Sequence, residues 1–124
     1  MDEGKNDFKP TEIKPPVSLD DLEKLDIRVG LIEKAEEVEN SRKLIRLTVN
    51  FGDHRRNILS AMKNDRDNIK EIEGKQCLFL VNLKPRNMAG ETSEGMIMDI
   101  GSSDGIRSVL AVPEKQVPNG TRVG

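Results

Sequence analysis

The stretch DIRVGLIEKAEEVENSRKLIRLTVNFGDHRRNILSA, residues 26–61, decides the fold of this chain because it predicts three β-strands in succession. From residue 26 towards residue 38, apolar residues first alternate with polar residues or glycine, which is the pattern of a half-buried strand. Residues 44–49 and 56–61 are two further strand-like runs. The motif FGDH at residues 51–54 is typical of a tight reversal between them.

The segments on the C-terminal side extend this β pattern. Residues 63–73 are charged and compatible with an α-helix that Gly74 would end. The remaining predicted elements are a fourth strand at 76–81, a polar loop, a fifth strand at 94–100, a hairpin loop at 101–105, a sixth strand at 107–112 and a turn-rich tail at 112–124.

This element order predicts an all-β chain with the OB-fold, a five-stranded Greek-key barrel with a helix between strands three and four. An SH3-like barrel or a generic β-sandwich fits the number of strands nearly as well. The position of the helix favours the OB-fold.

The N-terminal segment has a different character. Residues 1–17 are polar, contain three prolines and predict an extended or disordered leader. Ser18 is a typical helix N-cap, and Leu19, Leu22 and Leu25 form an apolar stripe on a short helix. A helix of about two turns is marginal alone, so we expect it to dock on another surface. Residues 18–124 are expected to form one domain.

Composition excludes several classes of protein. The chain has 124 residues, 35% of them hydrophobic and 34% charged, with three phenylalanines and no Trp or Tyr. It shows no signal peptide and no apolar run that could cross a membrane, so we expect a cytoplasmic protein. Cys77 lies in an apolar strand, where a buried thiol is expected. One histidine, His54, without a cluster of metal-ligand residues, predicts no metal site, no cofactor and no enzymatic activity.

Charge is unevenly distributed along the chain. The formal net charge is −2, and residues 1–24 contain seven acids against four cations. The remaining hundred residues contain sixteen cations and fifteen acids. A neutral body still allows cations to gather on one face, and such a local patch attracts phosphate.

The loop NLKPRNMAGETSEGM, residues 82–96, is the strongest candidate for a binding site. Pro85 fixes its own φ angle and favours an extended conformation at Lys84, so Lys84 and Arg86 project from a stiffened backbone. Two glycines allow backbone angles that a Cβ atom would hinder. A polar loop of defined conformation after a buried strand is a common place for binding residues.

Four segments then resemble one known family, in order and at matching spacing. They are LDIRVG at 25–30, NLKPR at 82–86, GETSEGMI at 90–97 and VPNGTRVG at 117–124. Together they resemble the tRNA-binding OB domain, which occurs at the C-terminus of many methionyl-tRNA synthetases, in endothelial monocyte-activating polypeptide II and as free-standing dimers. The resemblance runs from about residue 22 to residue 124.

The resemblance implies binding of tRNA that depends on its structure and hardly on its sequence. It also implies a homodimer, since this chain begins with its own Met1, and a role as cofactor of an aminoacyl-tRNA synthetase, most directly the methionyl enzyme. The residues implied to face RNA are Arg28, Asn82, Lys84, Arg86, Ser93, Glu94 and Met96.

The chain departs from the family at two places. Many relatives carry His-Pro-x-Ala-Asp-Lys-Leu where this chain has VENSRKL at 38–44, so Arg42 and Lys43 are added to the predicted site. In HRRN at 54–57, Arg55 is a further candidate.

Other interpretations remain open for several of these residues. Lys84 and Arg86 are alternatively solvated charges, Glu94 a structural acceptor of backbone hydrogen bonds, and Arg28 the partner of a nearby acid. At the level of function, the alternatives are an export-related chaperone of the same fold that binds unfolded polypeptide, and a subunit of a multi-synthetase assembly with residues 1–24 as its docking arm.

Overall fold

The fold is built around one long strand that pairs on both of its sides. A computed structural model describes residues 8–124 of the chain. Its elements are helix α1 (Leu19–Glu23) and the strands β1 (Ile27–Glu37), β2 (Ile45–Asn50), β3 (Arg55–Ser60), β4 (Gln76–Leu80), β5 (Arg86–Met88), β6 (Glu91–Ser93), β7 (Met96–Ile97), β8 (Asp99–Ile100) and β9 (Val109–Leu110).

Five strands form one antiparallel sheet in the order β3-β2-β1-β4-β7. The β1 strand pairs with β2 along its second half and with β4 along its first half, and a bulge lies between Ile32 and Lys34. A bulge bends a strand and increases its twist, so β1 serves both halves of a strongly curled sheet. This architecture agrees with the predicted all-β, OB-like fold.

Gly30 allows the sheet to curl tightly at the centre of β1. A Cβ atom there would lie 2.5 Å from Cγ1 of Val49 and 2.7 Å from Cε1 of Phe51. The ring of Phe51 in turn packs edge-on against Phe79, with ring centroids 5.5 Å apart. Any larger side chain at position 30 would push these core residues apart.

The interior is mainly aliphatic, as the composition requires. Phe51 and Phe79 are its two aromatic residues among the described part of the chain. The main cluster consists of Ile32, Ala35, Ile45, Leu47, Val49, Phe51, Ile58, Met62, Ile72, Cys77, Phe79, Val81 and Ile97. Alternate residues of β2 and β4 enter this cluster, which is the period-2 burial that the sequence predicted.

The predicted α-helix at 63–73 is wrong. The segment instead forms two 3₁₀ turns, Lys63–Asp65 and Ile69–Ile72, separated by extended backbone at Arg66. Asn68 caps the second turn, because its side-chain oxygen accepts a hydrogen bond from the backbone N–H of Lys70. Asn and Asp side chains compete in this way for backbone groups and interrupt helices.

The C-terminal strands are shorter than predicted. The expected strand at 94–100 is divided into β7 and β8, and the expected strand at 107–112 is reduced to β9. Residues Ser102–Asp104 form a 3₁₀ turn between glycines at 101 and 105 that both have positive φ angles. The region therefore folds as short pieces held by loop hydrogen bonds.

The predicted polar loop contains a small hairpin, which the sequence did not indicate. The β5 and β6 strands pair antiparallel, and Ala89 and Gly90 connect them with φ angles of 51° and 83°. A two-residue connection with positive φ at both residues is the type I′ hairpin turn. The usual Asn-Gly or Asp-Gly signal is missing here, since Ala occupies the first position.

The N-terminal helix begins as predicted. The hydroxyl of Ser18 accepts a hydrogen bond from the backbone N–H of Asp21 at 3.1 Å. Residues 8–17 are exposed and form neither helix nor strand. The rest of the predicted leader, residues 1–7, lies outside the described residues, so the division into leader and domain stays a prediction. None of the helices within residues 8–124 has the length and apolar character needed to span a membrane.

The C-terminal tail pairs with the first half of β1, on the side opposite β4. The N–H of Val29 donates to the carbonyl of Thr121 at 2.8 Å, and the N–H of Val123 donates to the carbonyl of Ile27 at 2.8 Å. These bonds hold the tail beside the start of β1. As a result, α1 and the last residues of the chain lie at the same end of the molecule.

Cys77 provides a test of the core. Its side chain is fully buried and burial raises the pKa of its thiol to about 11. At pH 8 we expect the folded protein to react with a thiol reagent such as dithionitrobenzoate on the order of a thousandfold more slowly than the chain in urea, because reaction requires unfolding. Equal rates in the two conditions would contradict this packing.

Candidate nucleic-acid interface

A second, smaller apolar cluster brings two polar loops together. It consists of Val38, Leu44 and Leu59, with Met88 of the β5–β6 hairpin packed against them. Val38 and Leu44 bracket the turn between β1 and β2. The cluster therefore fastens this turn and the hairpin to the same side of the curled sheet.

The turn between β1 and β2 has a defined conformation of its own. The hydroxyl of Ser41 accepts hydrogen bonds from the backbone N–H groups of Lys43 at 3.3 Å and Leu44 at 3.0 Å. Arg42 and Lys43 are exposed at its tip. Two of the predicted site residues, Arg42 and Lys43, thus lie on a turn that is fixed by hydrogen bonds and is next to the hairpin.

Four predicted cations are exposed and have no acidic partner. Arg42, Lys43, Lys84 and Arg86 form no ion pair within residues 8–124. Binding of a phosphate by these side chains would break no existing pair. The structure therefore leaves a concentration of available positive charge on the two fastened loops.

Two other predicted cations are already paired. The guanidinium of Arg28 binds both carboxylate oxygens of Asp26, at 2.9 and 3.0 Å, and this hydrogen bonding lowers the pKa of Asp26. Arg55 likewise binds both oxygens of Glu33, at 2.6 and 3.2 Å, and lowers the pKa of Glu33. To contact a phosphate, either arginine would have to break its bonds to the carboxylate or divide its N–H donors between the carboxylate and the phosphate.

Asn82 connects the loop to the N-terminal helix. Its amide nitrogen donates to the backbone carbonyl of Lys24 at 2.7 Å, and its oxygen accepts from the N–H of Asp26 at 2.8 Å. Both ends of the amide are therefore engaged with the segment that joins α1 to β1.

Ser93 and Glu94 hold the far end of the loop on β3. The buried hydroxyl of Ser93 accepts from the N–H of Leu59 at 3.0 Å and donates to the carbonyl of Gly95 at 3.1 Å. A carboxylate oxygen of Glu94 accepts from the N–H of Asn57 at 2.9 Å, and the N–H of Glu94 donates to the carbonyl of Asn57 at 2.8 Å. These contacts take the place of strand pairing between β3 and the loop.

The sequence analysis missed Arg56. Its Nη1 donates to the carbonyls of Val81 at 2.6 Å and Glu94 at 3.0 Å, and its Nε donates to Nε2 of His54 at 3.1 Å. Val81 precedes the loop and Glu94 ends it, so one guanidinium joins both ends. The sequence of β3 did contain a signal for an inward-facing arginine. Arg56 lies two residues before the buried Ile58, and residues two apart in a strand share one face of the sheet.

Met96 lies beside the hairpin with about a third of its surface exposed. Together with Arg86 and Met88 it lines a groove between the hairpin and the last strands of the sheet. Among residues 8–124 no three His, Cys, Asp or Glu side chains converge as metal ligands would. The chemistry of the interface is thus that of cations, amides and thioethers.

Comparison with known proteins shows the family of the chain. A family model described as a putative tRNA binding domain matches residues 27–122. A methionine–tRNA ligase of Archaeoglobus fulgidus is 46% identical over 112 residues, which is 90% of this chain and 17% of that protein. The chain thus spans about a sixth of that relative's length.

Two solved structures are similar over their whole length. A MetRS-related protein from Pyrococcus horikoshii has a TM-score of 0.82 and 35% identity, covering 90% of this chain and 100% of that one. The chaperone CsaA from Bacillus anthracis has a TM-score of 0.77 and 30% identity, covering 89% of this chain and 100% of that one. By the family model and these relatives, the chain belongs to the family of putative tRNA-binding domains.

Proposed function

We propose that this chain is a non-catalytic tRNA-binding protein that acts as a cofactor or subunit of an aminoacyl-tRNA synthetase, the methionyl enzyme first. The observation that carries the proposal is the group of four unpaired, exposed cations on two loops that one apolar cluster fastens together. Family membership and the likeness to methionyl-tRNA synthetase sequences support the choice of tRNA over other polyanions. tRNA as partner makes the cytoplasm the expected compartment.

Phosphate contacts would supply most of the affinity. Arg86 offers a planar fork that suits two phosphate oxygens, whereas the ammonium groups of Lys43 and Lys84 act as point charges. The loops are held by internal hydrogen bonds, so they lose little conformational freedom on binding. A rigid set of cations would recognise the spacing of phosphates in a folded RNA more than any base sequence.

The remaining predicted contacts take supporting roles in this proposal. Asn82, Ser93 and Glu94 hold the loop through the hydrogen bonds described above. Arg28 and Arg55 add positive charge at the edge of the site but remain shared with their carboxylates. A single-strand binder would need stacking platforms. The phenylalanine rings near the sheet, Phe51 and Phe79, are buried, and the exposed ring of His54 is stacked on Phe51.

A homodimer is the second part of the proposal. Leu19, Leu22 and Leu25 of the α1 region are 68%, 56% and 49% exposed, and Val123 of the tail lies beside them. They surround a cavity of about 690 Å³ at the end of the molecule where α1 meets the tail. Exposure of this apolar stripe to water is unfavourable, and a five-residue helix is only marginally stable without a docking partner. A second copy of the chain provides a matching apolar surface.

The chaperone alternative has one observation in its favour, the structural likeness to CsaA. The unpaired cations favour tRNA, because an unfolded polypeptide offers no regular array of negative charge. Retention of total tRNA by the purified protein, compared with suppression of aggregation of an unfolded protein, distinguishes the two functions. Suppression of aggregation without retention of tRNA would favour the chaperone.

The double substitution Lys84→Ala/Arg86→Ala tests the phosphate contacts. We expect affinity for different tRNAs to fall alike, on the order of 100-fold, since each hydrogen bond to a charged group contributes about 1.5 kcal/mol or more. The slope of log K against log salt should become shallower by roughly 1.5, because about 0.7 to 0.9 counterions are released per phosphate contact. Filter binding at several salt concentrations measures both quantities.

A control with the same net charge is Lys70→Ala/Arg107→Ala. These two cations are exposed but already paired, with Glu73 and Asp67. We expect this variant to keep the affinity and the salt slope of the parent. Equal losses in the two double variants would mean that overall charge, and not the loop, determines binding.

Arg56→Gln tests whether that arginine positions the loop. We expect lower tRNA affinity with the salt slope unchanged, because Arg56 joins the loop ends and makes no phosphate contact of its own. Faster proteolytic cleavage within residues 82–95 should accompany the loss. Arg55→Gln, which removes the same charge on the neighbouring residue, should leave the cleavage rate unchanged. A shallower salt slope in Arg56→Gln would instead identify a direct phosphate contact.

Leu22→Glu tests the dimer. We expect sedimentation equilibrium to give the mass of a dimer for the parent chain and of a monomer for the variant, since a charge would be buried in the interface. Ile100→Glu is the matched control, because Ile100 is 55% exposed, as Leu22 is 56% exposed, but lies on β8. A parent chain that is monomeric at high concentration would contradict the proposed interface.

A further inference from the structure

The groove beside the β5–β6 hairpin has an apolar lining that the proposed phosphate contacts do not involve. Three methionines, Met88, Met96 and Met98, line it, and we call it the methionine groove. Its volume is about 400 Å³, and the buried side chains of Leu59 and Ile97 contribute to its wall. This space exceeds what one planar heterocycle requires.

The side chains that line the groove include one cation and one carboxylate. Arg86, an exposed cation without an acidic partner, lies on the hairpin side. Asp99 of β8 also lines the groove, together with Ser102 and Ser103 of the turn that follows. A carboxylate repels phosphate, so the groove does not suit the sugar-phosphate backbone itself. An apolar interior between a cation and a carboxylate suits a base whose phosphate remains at Arg86.

Asp99 is fixed in position as a hydrogen-bond acceptor. Its Oδ1 accepts from the hydroxyl of Ser102 at 3.1 Å, and its Oδ2 accepts from the hydroxyl of Ser108 at 2.9 Å. A carboxylate has about four acceptor positions, so capacity for another donor remains. The donor that fits beside an apolar groove is an exocyclic amino group of a nucleobase, such as N4 of cytosine.

Methionine is well suited to the walls of such a groove. Its unbranched thioether is polarisable, adapts to irregular shapes and makes favourable contacts with aromatic rings. The exposed rings of Phe8 and His54 do not line the methionine groove. Thioethers are therefore the surface that this groove offers to a planar ring.

We propose that the methionine groove receives one unstacked nucleobase that carries an exocyclic amino group, with Asp99 as the acceptor for that group. The inference rests on the proposed function and adds a base-binding subsite to the phosphate contacts. It gives the interface a preference for a loop or bulge of the RNA, because a paired base cannot enter the groove.

The test uses the full chain labelled with ¹³C in the methionine methyl groups. The probes are short single-stranded oligocytidylate, oligouridylate and an abasic oligomer of equal length. We expect an upfield ring-current shift of the methyl groups of Met88, Met96 and Met98 with oligocytidylate. Met62 is 1% exposed in the core and is the internal control, whose methyl signal should not move. The abasic oligomer should bind without shifting any of the four signals.

Asp99→Ala tests the role of the carboxylate, because Asn would keep an acceptor oxygen. The parent should bind oligocytidylate on the order of tenfold more tightly than oligouridylate, and the variant should bind the two alike. The methyl signals of Met88 and Met96 in the free variant should match those of the parent, which shows that the groove is intact. Unchanged preference in this variant would overturn the assignment of Asp99.

The outcomes separate this inference from the proposed function. Retention of tRNA by the same samples, without shifts at the three groove methionines, overturns the nucleobase subsite and leaves tRNA binding intact. Absence of tRNA retention overturns the proposed function itself. Shifts caused by an unfolded polypeptide and by none of the oligonucleotides would identify the groove as a peptide site and overturn the inference.

Discussion

The interface depends on the guanidinium group of Arg56, which joins the two ends of the loop between β4 and β7. Its hydrogen bonds to the carbonyls of Val81 and Glu94 hold the two ends of the loop close together. Two further hydrogen bonds add to this closure: the N–H of Asn57 donates to the carboxylate of Glu94, and the N–H of Glu94 donates to the carbonyl of Asn57. A loop closed at its base retains little freedom, so the cations on it keep a fixed spacing. Such preorganisation reduces the entropy that binding would otherwise cost.

Pairing of charges explains how a chain with a net charge of −2 presents a positive surface. Most cations on the sheet and its connections are matched with acids, as Arg46 is with Glu36 at 3.5 Å and Glu91 at 2.5 Å. The Arg46–Glu91 pair also ties β2 to the hairpin. Within residues 25–124, Arg42, Lys43, Lys84 and Arg86 of the two loops form no ion pair. The cations Lys34, Lys75, Lys115 and Arg122 elsewhere on the surface also form none. Net charge is thus a poor guide to the partner, whereas the pattern of pairing is informative.

The sequence predicted the first four strands to within about a residue, because alternating burial and turn residues are local signals. It failed at residues 63–73, where charge and length suggested a helix but Asn68 favours a turn through its own side chain. It also missed the hairpin, because Ala89 adopts a positive φ angle that residues other than Gly, Asn and Asp rarely take. In the site, the resemblance pointed to the loop as a whole. It could not separate Lys84, which is free, from Asn82, whose partners lie 56 and 58 residues away in sequence.

Asn82 also connects the two surfaces proposed for binding. Its amide bridges the first residue of the loop to Lys24 and Asp26, next to the leucines of α1. The tail bonds to β1 on the neighbouring side, through Val29 and Val123. A second copy of the chain seated on α1 would therefore stabilise the segment that orients the loop. Because binding free energies are reciprocal, RNA held by the loop would strengthen the dimer to the same extent. The proposed dimer surface and the proposed RNA site would then act together.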